Sequence, residues 1–469
     1  MTDISAEMNL PTIEKIGVPS ELIGADRPAS IEAKRVLHVA PSENSTYNGG
    51  DTVRFTLPCQ QNTYLTPDVA LRFTFNNTAA AANTCNPDYS ASALIKRLRI
   101  FHNSQLLEDC DNYNRLRQII TDVSQSPVNS STISSVLEGT PISGSTTDAQ
   151  GLNIVPAQKF DTIDGTKSRV YQVQLVSGLI GSLATKSLCT HAMTAGPLRI
   201  EIELETENNA IISRPATVVG PSGTPAVQAA KPATWTIDNV TLRATYVQVS
   251  SQAQALIDRA VGGRYMINTS MYRHAQQNIP SAAQSANILL PFSYSSLKHV
   301  VHGLYEQTNN NDQGKYTISG RSRANVDKTW YQIGASRVPS APLEGTTEII
   351  TEACKCFAIS SDLLQVSNHL TQINTGVNLS NSIMVTGPST ATNIGNVMTR
   401  GYYVFGFDME AFGAASSTQR IECGINTTSL QMYWNLETST TFSKNLEAHS
   451  WAQYDCLLTC ANGQMFSRF

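Results

Sequence analysis

The sequence predicts an all-β chain folded as two β-sandwiches in tandem. A length of 469 residues exceeds one ordinary sandwich and suits two domains of roughly 200 residues each. Apolar and polar residues alternate with period two in many short runs, and one amphipathic helical pattern stands in each half.

Residues 1–30 mix Pro, Gly, Ser and charge without a sustained period and read as an N-terminal arm. After the turn at Asn48-Gly49-Gly50, the residues Val53, Phe55 and Leu57 alternate with Thr52, Arg54 and Thr56. Beyond Pro67-Asp68, the residues Leu71, Phe73 and Phe75 alternate with Arg72 and Thr74, so both runs predict half-buried strands. Residues 94–102 (LIKRLRIFH) predict another, closed by Asn103-Ser104. Leu106, Cys110, Tyr113, Leu116, Ile120 and Val123 keep spacings of three and four and predict a helix lying on the sandwich. Strands follow at Tyr171, Val173, Leu175 and at Leu198, Ile200, Ile202, Leu204, the latter with a mostly acidic opposite face of Arg199, Glu201, Glu203 and Glu205. Two long irregular stretches, 124–168 and 207–233, read as loops projecting from one end of the sandwich.

After a strand carrying Trp235, Val240, Leu242 and Tyr246, the segment SSQAQALIDRAVGG offers a Ser cap, a short helix and a Gly stop at 262 and 263. The domain junction is placed there: a first sandwich over 31–250, a linker helix over 251–263 and a second sandwich over 264–469. The second half is expected to hold strands at 296–305, 402–409, 428–437 and 452–460, with a helix near 359–373 through Leu363, Val366, Leu370 and Ile373. Residues 198–206 (LRIEIELET) and 430–438 (LQMYWNLET) hint at a duplicated unit.

Charged residues make up 15% of the chain against roughly 25% in ordinary soluble proteins, while Ser, Thr, Asn and Gln abound. Such a surface suits burial against copies of itself, because desolvating a hydroxyl or amide costs less than desolvating a charge. The 33 Lys and Arg against 37 Asp and Glu, a formal charge of -4, give no global case for wrapping nucleic acid. Lys96, Arg97 and Arg99 form a local basic cluster, best read as a solvated or ion-paired strand face. The N-terminal segment MTDISAEMNLPTIEK lacks the apolar core of a secretory signal, and no uncharged apolar run approaches the roughly 20 residues that span a bilayer. Synthesis and assembly inside a cell are expected. Nine scattered cysteines argue for free buried thiols rather than a disulfide framework, and the Asn-x-Ser/Thr triplets at Asn44, Asn129, Asn239, Asn268 and Asn426 then carry no meaning.

No residue set predicts catalysis, a cofactor or a metal. Gly314-Lys315-Tyr316 lacks the hydroxyl and upstream glycines of a phosphate loop. His299 and His302, three apart on a strand, point to opposite faces and cannot share one ion. Cys354 and Cys356 share a strand face without a second pair, and Cys456 and Cys460 would stand about 13 Å apart. Glu108, Asp109 and Asp111 crowd the start of the first helix, where its N-terminal dipole accounts for them.

Read together, several segments resemble the double jelly-roll major capsid proteins of eukaryotic double-stranded DNA viruses, of the polinton-like virus, virophage and adintovirus type. They are LIKRLRIFHNSQLLEDCDNYNRL (94–116), VSGLIGSL (176–183), MTAGPLRIEIELE (193–205), SSLKHVVHGLYE (295–306), FGFDMEAF (405–412), IECGINTTSLQMYWNLE (421–437) and WAQYDCLLTC (451–460). The resemblance spans roughly residues 35–465 and lies in pattern rather than close identity. It implies two tandem eight-stranded jelly-roll β-sandwiches with short flanking helices, no enzymatic activity, and homotrimeric, pseudo-hexagonal capsomers tiling an icosahedral shell around the genome. It further implies neighbouring capsomers, penton and minor capsid or cement proteins as partners, no sequence-specific nucleic-acid binding, and residence in the virion.

The competing expectation is a tandem β-sandwich that binds carbohydrate or attaches to a receptor, which would cluster aromatic residues in loops. Trp330, Trp434 and Trp451 instead fall in or near alternating strands, which favours core or interface packing. A cupin-type enzyme would need a His-rich metal set such as His-x-His, which the sequence lacks.

Overall fold

The computed structural model describes residues 33–81, 83–124, 132–140, 142–147, 153–159, 163–184, 186–215, 233–313, 315–357, 403–410 and 424–468. The arm expected over 1–30 and the helix expected at 359–373 lie outside them.

Sixteen strands build four sheets in two matching sets. The first set is β1 (Ala33–Pro41), β2 (Thr52–Leu57), β3 (Ala70–Asn77), β4 (Ile95–His102), β5 (Gln105–Asp111), β6 (Ser168–Gln174), β7 (Leu198–Leu204) and β8 (Trp235–Val249). Its sheets run β1-β8-β3-β6 and β2-β7-β4-β5. The second set is β9 (Tyr265–Ile279), β10 (Ser285–Leu290), β11 (Leu297–Glu306), β12 (Val326–Ile333), β13 (Ser336–Glu344), β14 (Phe405–Asp408), β15 (Met432–Thr438) and β16 (Leu446–Ala461). Its sheets run β9-β16-β11-β14 and β10-β15-β12-β13, the same order advanced by eight strands. All these pairs are antiparallel. Strands one, eight, three and six facing strands two, seven, four and five is the jelly-roll order, and here it occurs twice. Short strands at Thr46–Asn48 and Thr63–Leu65 extend the first set along β8, and Gln464–Arg468 pairs with β16.

Alternation decides which face enters each core. Leu71, Phe73 and Phe75 are buried, while Arg72, Thr74 and Asn76 between them are partly exposed. On β7 the buried Ile200 and Ile202 lie opposite Phe55 and Val53 of β2 and Ile100 and Leu98 of β4. β1 and β9 escaped sequence reading for opposite reasons. Most of β1 is exposed on both faces, whereas β9 is covered on both faces over Thr269–Tyr272, so neither alternates.

Three helices matter. α1 (Tyr113–Ser124) and α3 (Gly345–Lys355) each follow the fifth strand of their own jelly roll, and α2 (Ser251–Val261) joins β8 to β9. Ser250 caps α2 by accepting from the Ala253 amide at 3.3 Å, and Gly262 closes it at φ 65°. The helix expected from Leu106 is a strand as far as Asp111 and a helix only from Tyr113. Asn112, at φ 47°, breaks the two apart, and threefold and fourfold spacing ran across the break by coincidence. α3 was missed because its buried face, Ile349, Ala353 and Cys354, is narrow and partly small.

The stretch 124–168 is not wholly irregular: it holds a helical turn at Ile133–Glu138 and a hairpin of Ile142–Thr147 with Asn153–Lys159. Within 207–233, Ile211–Pro215 pairs with Asn83–Pro87. The first strand of the hairpin is largely Ser, Thr and Gly, and the second sets Ile154 and Val155 side by side before Pro156, so neither shows a period-two apolar pattern.

His302 is the unusual core residue. It is fully buried between the sheets of the second jelly roll, stacked on Trp434 with ring centres 4.0 Å apart, and its Nδ1 shares a hydrogen bond with Ser450 Oγ at 2.7 Å. Burial pulls its pKa from the ordinary 6.5 down to about 3. Unfolded histidine takes a proton near 6.5 and the buried ring does not, so unfolding takes up a proton between those values. Stability is therefore full above pH 6.5 and falls towards pH 3, by up to about 1.4 kcal/mol per pH unit for this group. In His302→Phe, the stability lost between pH 7 and 4.5 should be about 2–3 kcal/mol smaller than in wild type, as read by urea melts. Equal pH slopes in the two proteins would refute this origin of acid lability.

Candidate assembly interface

The basic cluster of β4 is spent on the acidic face of its neighbours. Lys96 meets Glu203 at 3.2 Å, Arg97 grips both oxygens of Asp109 at 2.8 and 2.9 Å, and Arg99 meets Glu201 at 3.3 Å. Glu201 is also approached by Arg54 and Arg199, each at 3.4 Å. LIKRLRIFH and LRIEIELE are thus complementary partners in one sheet, and the three cations are held by carboxylates rather than left for a polyanion.

Glu108, Asp109 and Asp111 sit on β5 rather than at a helix start, and alternation separates them. Glu108 is buried, accepting from Ser177 Oγ and from the Gly178 amide at 2.9 Å, and burial raises its carboxyl pKa above the ordinary range. Burial also opposes ionisation of Asp109, but the bonds and charge of Arg97, joined by Arg273 at 2.8 Å, hold its pKa below the ordinary range. Arg273 belongs to β9, so Asp109 is where the two jelly rolls begin to touch.

The seam between them is polar, dense and buried. Trp451 on β16 donates Nε1 to the Asp111 carbonyl at 3.4 Å, and the Met465 amide donates to His102 Nδ1 at 3.2 Å. Gln313 is clasped by the first jelly roll: its side chain exchanges two bonds with the Ala233 backbone at 2.7 and 2.9 Å, and its carbonyl accepts from the Ser213 amide. Asp88 accepts from the amides of Ile318 and Ser319 and from the Ser319 hydroxyl.

α1 is the centre of this seam. Tyr113, Leu116, Ile119 and Val123 bind it to its own sandwich, and Tyr113 Oη accepts from the Val176 amide at 2.7 Å. Its other side enters the outer face of the sheet β9-β16-β11-β14. There Arg115 lies 4.4 Å over the Tyr305 ring, 3.4 Å from Glu447 and against His449 Nε2. With Nε2 accepting, His449 carries its proton on Nδ1 and donates to His274 Nε2 at 2.9 Å, and His274 Nδ1 faces Asp111 at 3.7 Å. Burial first, then the charges of Arg115 and His274, push the His449 pKa well below its ordinary value and keep it neutral.

Two turns further along the helix, Asp122 and Arg321 form an ion pair with neither side chain exposed. Gln118 donates to the other Asp122 carboxylate oxygen at 2.9 Å, and Arg321 Nε donates to the Tyr403 carbonyl at 3.1 Å. These residues lie 199 positions apart, and no local pattern in the sequence marks either as a partner.

The remaining sequence candidates do not converge. His299 and His302 are held apart, His299 by the Tyr272 hydroxyl at 3.0 Å. Cys354 and Cys356 end α3 instead of sharing a strand face, so they project from different sides of a helix; Cys356 Sγ turns to the Val300 carbonyl. Cys460 Sγ lies 3.2 Å from the Ala192 carbonyl, and the eight described cysteines are free thiols. Lys315 pairs with Asp312 at 3.5 Å, and Gly314 lies outside the described residues. Trp235, Trp434 and Trp451 are fully buried, while Trp330 is half-buried beneath the Arg337 guanidinium, 4.4 Å from its ring.

Two jelly rolls of one strand order, fused edge to face by a charged seam, make this chain a double jelly roll. Solved structures share that arrangement over nearly the whole length of both chains. The Faustovirus major capsid protein superposes with a TM-score of 0.63 at 10% identity, covering 96% of this chain and 94% of its own. The PBCV-1 virus capsid gives 0.57 at 12% identity, covering 95% and 99%. The mavirus major capsid protein gives 0.51 at 10% identity, covering 96% and 93%. No family model and no curated protein matches the sequence.

Breaking the buried pair from one side leaves a bare charge. Asp122→Ala should lower unfolding free energy by about 3–5 kcal/mol, whereas Asp122→Leu combined with Arg321→Met should recover most of that loss. Denaturant melts measure both; a single variant as stable as wild type would show that the pair does not hold the seam.

Proposed function

We propose that the chain is a major capsid protein whose homotrimers form pseudo-hexagonal capsomers of an icosahedral shell around a viral genome. The observation that carries this reading is the pair of equivalent jelly rolls locked side by side, matched over almost the full length of chains that are themselves capsid proteins. Six such rolls from three chains approximate a hexagon, and symmetry repeats each weak contact around every capsomer. The units are an arm over 1–30, a first jelly roll over 31–250, a linker helix over 251–263 and a second jelly roll over 264–469. On this reading the role is structural and not enzymatic, with no catalytic residue, cofactor or metal. The place of action is the virion, assembled inside the host cell, with penton and minor capsid or cement proteins as further partners. Burial of three of the four tryptophans weighs against the glycan-binding alternative, which needs aromatic faces open to a sugar.

The purified 50.8 kDa chain should elute as a trimer of about 150 kDa and form shells or pseudo-hexagonal particles under negative stain. Deleting residues 1–30 should leave the trimer intact and reduce shell yield. A stable monomer that binds a glycan would overturn the capsid reading, and unchanged shell yield from the truncated chain would remove the arm from assembly.

A further inference from the structure

The two helices that follow the fifth strands are copies of one part. Gln118-Ile119-Ile120-Thr121-Asp122-Val123 of α1 aligns without a gap on Glu348-Ile349-Ile350-Thr351-Glu352-Ala353 of α3. Ile119 and Ile349 are both fully buried against their own sandwiches, and Thr121 and Thr351 each donate to the carbonyl four residues back at 2.8 Å. Their surroundings differ on the other side. α1 buries Arg115, Gln118 and Asp122 in the second jelly roll, whereas the matching positions of α3, Gly345, Glu348 and Glu352, are partly or fully open.

The surface that receives α1 also has an open copy. Inward Leu304 lies opposite Ala448 as inward Phe75 lies opposite Ile237, so the outward residues Val301, Gly303 and Tyr305 correspond to Arg72, Thr74 and Asn76. Arg321, the partner of Asp122, rests against Gly303, where an added Cβ would stand 3.0 Å from its Cδ. The corresponding point on the first jelly roll is Thr74, opposite Asp238, with Arg72 two residues along the same face and Arg243 on the adjoining strand, so two cations flank one carboxylate there. Neither Arg72 nor Arg243 has a carboxylate partner among the described residues, and Arg243 Nε is buried without a hydrogen bond.

The chain therefore carries one filled joint and separate copies of its two halves, in which Glu348 accepts from the Glu344 amide at 2.8 Å and Glu352 pairs with Lys355 of its own helix. We propose that α3 of one copy docks on the outer face of the sheet β1-β8-β3-β6 of a second copy. Glu348 and Glu352 take the places that Gln118 and Asp122 hold within the chain, and Arg72 and Arg243 receive them. The contact is heterologous, joining two different surfaces, so every copy both gives a helix and receives one, and the series closes as a ring. This assignment rests on the homotrimer reading and locates the interface within it.

Charge reversal tests it in the full chain. Glu348→Lys with Glu352→Lys, and separately Arg72→Glu with Arg243→Glu, should each weaken the trimer at least about tenfold, shifting light-scattering mass towards the monomer, while thermal midpoints stay close to wild type. Combining all four substitutions should restore the trimer, an outcome that misfolding cannot produce. Trimers of unchanged strength in both reversed variants, or no recovery in the combined chain, would overturn the interface. A wild-type chain that stays monomeric at every concentration would instead overturn the capsomer reading itself.

Discussion

The constraint on which the molecule depends is the burial of α1 between two jelly rolls. A helix that carried only its apolar stripe would leave its outer side to water. Here that side bears Arg115, Gln118 and Asp122, and the second jelly roll must supply Glu447, His449 and Arg321 to satisfy them. An unpaired charge in that position would cost several kcal/mol, so the pair tolerates little displacement. Hydrogen bonds accepted by Asp88, His102 and Gln313 extend the same discipline along the seam. The two sandwiches are thereby held in one relative orientation, which a short linker such as α2 would not impose alone.

In the proposed capsid role that rigidity matters, because shell geometry is set by angles. If each chain places its two rolls at a fixed orientation, half the joints in a capsomer are made before any copies meet. Association then has to fix only the remaining joints, with little ordering left to oppose them. Low charge on the exposed faces serves the same end, since threonine and glutamine side chains such as Thr74, Thr236, Gln172 and Gln174 desolvate more readily than ions. Formal charges are instead concentrated where the chain neutralises them itself, around Glu201 and Asp109.

Strand identity was legible wherever one face meets a core and the other meets water, as in β3, β7 and β15. The resemblance between 198–206 and 430–438 falls on the seventh strand of each jelly roll, with Ile202 and Trp434 at the same inward position. β9 was not legible, because the neighbouring roll covers the face that water would otherwise mark with polar residues. The start of α1 was misplaced because Leu106 and Cys110 of β5 continue its spacing by chance. The seam was invisible for a different reason: Asp122 and Arg321 lie far apart in sequence, and each alone looks like an ordinary surface charge. Sequence patterns report burial along an element; they do not report which distant element does the burying.

The repeated strand order lets such a seam be built from few kinds of part. In the first half a helix after the fifth strand binds the outer face of the neighbouring sheet, and the second half presents a helix and a sheet at the equivalent places. The internal joint holds buried, tightly satisfied charges, and its two halves share a chain and so meet at high effective concentration. The outer halves follow a different demand, for they must stay soluble until they meet. In the proposed contact Glu348 and Glu352 on one side, and Arg72 and Arg243 on the other, meet that demand: none is sealed as Asp122 is, and their charges are opposite. The contrast between Asp122, sealed within the fold, and Glu352, partly exposed and paired with Lys355, thus follows from where the equivalent element sits in the repeat.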